Sequence, residues 1–151
     1  MLAFYQDPAK RALLKPEAVY EIETGLEQSA FDITAASVVR NEWTEAVRRF
    51  FERYDYFIAP TAQVFPFDVA QHWPQEIAGR KMKTYHEWMK AALLICPAIA
   101  VPAGFSEQGL PIGIQLVGPN RQEFNLLQLA YAYESTLGAA HRRPPPLLQS
   151  A

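Results

Sequence analysis

The sequence predicts an α/β fold, and three observations carry that expectation. Apolar residues recur at helical spacing from residue 29 to residue 54, which traces one stripe along a long helix. Two short runs, Ala98-Ile99-Ala100-Val101 and Ile112-Gly113-Ile114-Gln115-Leu116-Val117, are almost wholly apolar. Between them stands Ser106-Glu107-Gln108-Gly109, whose composition is that of a turn, so the two runs are expected to form a hairpin.

The elements follow in order. Lys15-Pro16-Glu17 puts a proline where the first helical turn tolerates it, and Val19, Ile22 and Leu26 continue at helical spacing to a turn at Gln28-Ser29. The long helix starts from Ser29, with Asp32 three residues on as a capping-box variant. Its apolar stripe is Ile33, Ala36, Val39, Trp43, Ala46, Val47, Phe50 and Tyr54. Arg40, Glu45, Arg48 and Glu52 lie opposite, as a solvated face with i,i+3 or i,i+4 partners.

Tyr56-Phe57-Ile58-Ala59, stopped by Pro60, suits a buried strand. From 60 to 83 neither period holds, although Val64, Phe65, Phe67, Trp73 and Ile77 make the segment too apolar for a disordered linker. A structureless loop of that length in a compact domain is usually a lid or a binding loop. Tyr85, Trp88, Met89, Ala92 and Leu93 predict a further helix ended by Pro97. Asn120 and Glu123 predict a capped helix carrying Phe124, Leu127, Ala130, Tyr131 and Leu137, closed by Gly138; a proline-rich tail fills 141–151.

The whole chain, 1–151, is expected to act as a single unit, since 151 residues, half of them hydrophobic, suffice for one core. The formal charge of −2 provides no basic field for nucleic acid or an anionic membrane. No apolar run reaches the roughly twenty residues of a membrane-spanning helix. Residues 1–8 lack a basic head and a long apolar stretch, so a cytoplasmic setting is expected. The single cysteine, Cys96, sits in an apolar run and is expected to be a small buried hydrophobe. His72, His86 and His141 match no helical ligand spacing and accompany no glycine-flanked serine elbow.

The apolar character of 98–101 and 112–117 implies that both faces of the hairpin meet protein. With only three convincing strands, the sheet would have edges to protect and faces to cover.

Tyr54-Asp55-Tyr56-Phe57-Ile58-Ala59-Pro60-Thr61, Pro97-Ala98-Ile99-Ala100-Val101-Pro102-Ala103-Gly104-Phe105 and Gly109-Leu110-Pro111-Ile112-Gly113-Ile114-Gln115-Leu116-Val117-Gly118 together resemble the C-terminal third of the amidase signature family. The similarity extends upstream through Asp32 to Arg40 and downstream through Asn125-Leu126-Leu127 to Tyr133-Glu134. It implies a segment of an α/β/α fold built on a large mixed sheet with flanking helices. It implies amide hydrolysis, or ammonia transfer, through an acyl-enzyme that uses a serine, a second serine in a cis peptide and a lysine. Those residues belong to a Ser/Gly-rich region N-terminal to the part this chain resembles. None of Ser29, Ser37, Ser106, Ser135 and Ser150 stands in a Gly-Ser-Ser sequence, so no catalytic residue is assigned here. Where the family usually has glycine before the Pro-Ala-Ile run, this chain has Cys96.

The resemblance implies no cofactor and no metal. The expected partner is an N-terminal amidase segment or a second copy of the chain, with a small amide as substrate of the completed enzyme. The expected role is to complete the sheet and shape the substrate pocket; the alternative is a stand-alone, non-catalytic binding or oligomerisation module. Thr61 and Phe65 are the candidate substrate-binding residues, because they follow a strand at its C-terminal end, where ligand sites gather in α/β sheets. Thr61 satisfying a turn and Phe65 filling core remain equally open readings of the sequence.

Overall fold

The computed structural model describes residues 1–88 and 95–138. The chain divides into two compact units, Met1–Ala46 and Val47–Ala151, with the boundary inside one long helix.

The first unit is helical. It holds α1 (Leu2–Gln6), α2 (Pro8–Arg11), α3 (Pro16–Glu27) and the first turns of α4 (Ala30–Phe51). The two shortest helices are not legible as periodicity, yet the second has a local signature. Asp7 caps α2 by accepting from the Ala9 and Lys10 N–H groups at 3.0 and 3.3 Å, and Pro8 occupies the first turn. Glu23 on α3 ties these helices down, accepting from the Tyr5 hydroxyl at 2.9 Å and from the Arg11 guanidinium at 2.7 Å. The predicted capping box opens α4. Ser29 Oγ accepts from the Asp32 N–H at 3.2 Å, and Asp32 Oδ2 accepts from the Ser29 N–H at 2.8 Å. Asp32 Oδ2 also accepts from the Ser29 hydroxyl at 2.6 Å.

The second unit holds a three-stranded sheet in the order β1 (Phe57–Pro60), β5 (Pro111–Val117), β4 (Ala98–Phe105). Both pairings are antiparallel, so the mixed sheet that was expected is not formed among the described residues. The reason is local: a tight hairpin can only reverse the chain, and β1 lies along the other side of β5 in the direction of β4. The predicted turn closes that hairpin. Ser106 N–H donates to Leu110 O at 2.8 Å and Gly109 N–H to Ser106 O at 2.9 Å, while Ser106 Oγ accepts from Leu110 N–H at 3.1 Å.

Both strands run further than their apolar cores suggest, because β4 continues through Pro102 across an irregularity between Pro102 and Gly104. Gly104 has φ +119°, a backbone conformation open to glycine. Pro102 is tolerated because β4 is an edge strand. Gly118 N–H donates to Pro97 O, and alternation from that bond turns the position of Pro102 away from β5. Pro60 stands likewise on the opposite edge, where Thr61 N–H resumes bonding to β5 through Gly113 O at 2.9 Å. The two prolines pair with Ile114 and Gly113, so both edges lose a donor at one level of the sheet.

One sheet face packs on α5 (Glu123–Leu137). Val101, Leu116, Leu126 and Ala130 form its buried cluster, with Tyr56, Ile99, Ile114, Leu129 and Tyr133 packed around them. Tyr133 donates its hydroxyl to Pro102 O at 2.9 Å, locking the helix to the edge strand. The expected burial of both faces holds at one end, where the successive residues Leu116 and Val117 are 2% and 1% exposed. It fails on the edge strand β4, whose Ala98 and Ala100 are exposed.

Two further expectations are corrected. Asn120 does not cap α5; Gln122 is its N-cap and makes no side-chain cap bond. Gln122 N–H donates to Pro119 O and Arg121 adopts φ +62°, which moves the helix start two residues past Asn120. Within 60–83 a small hairpin pairs β2 (Glu76–Ile77) with β3 (Arg80–Lys81) around Ala78 and Gly79, both at positive φ. Two-residue strands are too short to show a period, and such a turn is more often signalled by Asn-Gly. Of the helix expected from Tyr85, the described residues show a 3-10 turn over Tyr85–Glu87; Met89, Ala92 and Leu93 lie outside the described residues, as does the tail at 141–151.

Candidate functional site

The C-terminal end of β1 opens into a cleft of about 740 Å3, within the size range of small-molecule sites. One wall is the sheet end, from Ala100, Val101 and Pro102 across to Pro111, Ile112 and Gly113. The other is the segment leaving β1, Pro60 through Phe67, closed by Trp88. Both candidate residues, Thr61 and Phe65, line it.

Thr61 is held by the sheet. Its N–H bond to Gly113 O brings its side chain over Gly113, where a Cβ would stand 3.0 Å from Thr61 Oγ1. Glycine at 113 therefore serves close approach. The opposite wall has its own scaffold. Gln63 Nε2 donates to the carbonyls of Glu87, at 3.4 Å, and Trp88. Phe67 meets the Trp88 ring edge to face with centroids 5.9 Å apart. Glu87 in turn accepts from the Lys83 N–H at 3.3 Å and lies 3.8 Å from the Arg80 guanidinium, which joins the β2–β3 hairpin to this wall.

The described lining residues are apolar apart from Thr61 and Gln63, and none is charged. Such a surface can pack an uncharged group; it offers no counter-charge to an ion. Sequence patterning missed Gln63, Phe67, Trp88, Pro102 and Gly113 as members of this site. Its place as the one polar residue of the run Ala62-Gln63-Val64-Phe65 was the available signal for Gln63.

The described serines serve local structure or lie elsewhere. Ser29 caps α4, Ser37 donates to Ile33 O at 2.9 Å, Ser106 closes the hairpin turn, and Ser135 lies beside a second cavity between β4 and α5. None of these four lines the cleft. His72 and His86 do not line it either, and His141 and Ser150 lie outside the described residues. Cys96 is partly buried, and that burial pushes its thiol pKa above the ordinary value. Among the described residues, no three His, Cys, Asp or Glu side chains are grouped to hold a metal. No helix among them is long and apolar enough to cross a membrane.

The Amidase family profile matches residues 5–127. A glutamyl-tRNA(Gln) amidotransferase subunit from Alkaliphilus metalliredigens is 34% identical over 105 residues, covering 70% of this chain and 21% of that protein. Its counterpart of the same name from Brevibacillus brevis is 32% identical over 144 residues, covering 93% of this chain and 27% of that protein. Among solved structures, a bacterial aryl acylamidase of the amidase signature family superposes with a TM-score of 0.74 at 25% identity, over 85% of this chain and 27% of the other. A structure described as an amidase gives 0.73 at 20% identity over 90% and 31%, a likeness of fold alone. The chain thus spans between about a fifth and a third of the proteins it matches. With its sheet, its hairpin and most of its length accounted for by that match, this chain belongs to the amidase family.

Proposed function

We propose that this chain is the part of an amide-bond hydrolase that completes the sheet and shapes the substrate pocket, and that the nucleophile comes from residues outside it. The observation that carries this reading is the cleft at the end of β1, where an uncharged, largely apolar surface gathers Thr61 and Phe65. It supplies a place to hold the substrate. No serine stands among its described lining residues, and acyl transfer needs a nucleophile with a proton acceptor in hydrogen-bond reach. In the completed enzyme the acyl-enzyme chemistry and the oxyanion donors would come from the Ser/Gly-rich segment.

The test is complementation. The chain is mixed with an N-terminal amidase segment containing the two serines and the lysine, and ammonia release from simple aliphatic and aryl amides is followed. Activity is expected from the mixture and from neither part alone. A fluorophosphonate should label the N-terminal segment only; stoichiometric labelling of one serine in this chain, lost on mutating that serine, would overturn the assignment.

A second reading, a non-catalytic binding or oligomerisation module, is favoured by the exposed apolar residues of α5, Phe124, Leu127 and Tyr131. Under that reading the mixture stays inactive and the chain associates with itself.

A further inference from the structure

The wall of the cleft opposite the sheet has little secondary structure to define it. Between Thr61 and Trp88 the chain has only the two short strands of the β2–β3 hairpin and a single 3-10 turn. A wall of that kind keeps its position only if side chains hold it. The side chain that does so from within the cleft is Gln63. It leaves the first turn after β1 and donates to the carbonyls of both Glu87 and Trp88, 24 and 25 residues further on. Those bonds hold the Trp88 backbone where its ring meets that of Phe67, and both rings line the site.

We propose that Gln63 is a positioning residue for this cleft: by holding the Glu87 and Trp88 carbonyls it fixes the Trp88–Phe67 wall against which an uncharged aromatic group of a ligand packs. This rests on the cleft being the substrate site of the proposed hydrolase and adds the class of group it takes and what sets its width. The ligand class follows from the lining. Aromatic faces and prolines offer flat apolar contact, while the described lining residues provide no charge to offset a buried carboxylate or ammonium. The role follows from chemistry that few side chains share. Gln63 faces two acceptors, so the group in that place must be a donor, and a primary amide presents two N–H bonds on one nitrogen.

The distinction between donor and acceptor gives the test. Gln63→Glu keeps size and shape but at neutral pH sets a carboxylate against two carbonyls; once protonated it can donate again to one of them. Binding of benzamide to the full chain is measured by tryptophan fluorescence and ligand-observed NMR at pH 7.5 and 4.5, with benzoate and glutamine as charged probes. Far-UV circular dichroism and the urea midpoint verify the fold.

Benzamide should bind the unaltered chain at both pH values, with benzoate at pH 7.5 and glutamine at both clearly weaker. Gln63→Glu should weaken benzamide about tenfold at pH 7.5, the equivalent of one lost hydrogen bond, and recover part of that at pH 4.5. If the glutamate variant does not fold, Gln63→Met, of similar length and without a donor, should show the loss at both pH values. Equal binding by variant and unaltered chain, no recovery in acid, or benzoate or glutamine binding as well as benzamide overturns the proposal. Complementation that succeeds while these binding results fail leaves the hydrolase reading standing and removes only the role of Gln63 and the ligand class.

Discussion

Thr61 lies over Gly113 so closely that a Cβ on the glycine would be 3.0 Å from Thr61 Oγ1 and 3.4 Å from Thr61 Cβ, while Thr61 N–H donates to Gly113 O at 2.9 Å. One bond thereby carries the β1–β5 ladder past Pro60, and one missing side chain lets the wall of the cleft sit directly on the sheet. The contact joins fold to site. It also makes position 113 sensitive in a way that a count of buried residues would not reveal.

Gly113→Ala should therefore destabilise the chain by roughly 1 kcal/mol, at the low end of overpacking, because the new Cβ would stand 3.0 Å from Thr61 Oγ1 and a β-branched side chain has few rotamers that leave that space empty. Combining it with Thr61→Ser, whose single γ substituent can rotate away, should recover part of the loss. Urea midpoints of the two single variants and the double variant decide this. Additive losses would mean that the clash is relieved elsewhere.

Ile114→Asp should cost roughly 3 kcal/mol, because Ile114 packs on the Val101–Leu116–Leu126–Ala130 cluster and a carboxylate there would find no partner. Glu52→Gln should change stability by less than about 0.5 kcal/mol, since its ion pair with Arg48 is solvent-exposed at the C-terminal end of α4. Both are read from the urea midpoint. An unchanged midpoint for the aspartate variant would place Ile114 outside the core.

The α4 cap should have an acid limb. The Ser29 side chain, and then its N–H, hold the Asp32 carboxyl below its ordinary value of 3.8. A carboxylate whose pKa is depressed in the folded state contributes stability above its unfolded value and loses it as pH falls through the folded one. The difference in helicity between the unaltered chain and Asp32→Ala should therefore be constant above about pH 5 and vanish at lower pH. A difference that persists at pH 2 would assign the effect to something other than the carboxylate.

The exposed apolar faces should make the purified chain self-associate or bind an apolar dye strongly. Phe31, Ile33, Val39 and Trp43 are exposed on α4, and Phe124, Leu127 and Tyr131 on α5, with Phe31 and Tyr131 at 87% and 74%. Apolar patches above a few hundred square ångströms are unusual on soluble monomers. Light scattering at rising concentration provides the measure. A monodisperse 17.1 kDa species without dye binding would count against an incomplete surface.

The sequence by itself determined the elements whose causes are local. Pro16 at the start of α3, the Ser29–Asp32 capping box, the Ser106–Gly109 turn and the apolar runs of β4 and β5 all act within a few residues, so each could be read before any contact was known. The ordered motifs around Pro60, Pro97 and Gly118 carried the family in the same way. Tertiary structure alone decided the rest. Which strand is central, and that Pro60 and Pro102 blunt opposite edges at one level, depends on pairings across more than fifty residues between β1 and β5. The same holds for the cleft. Thr61 and Phe65 were legible as residues after a strand, but Gln63 reaches its acceptors only after the chain has passed through a hairpin and returned, and no periodicity records a contact of that range. The stripe on α4 shows the converse: helical spacing stated which residues share a face, but burial needs a partner surface, and Ile33, Val39 and Trp43 remain exposed where Val47 is buried.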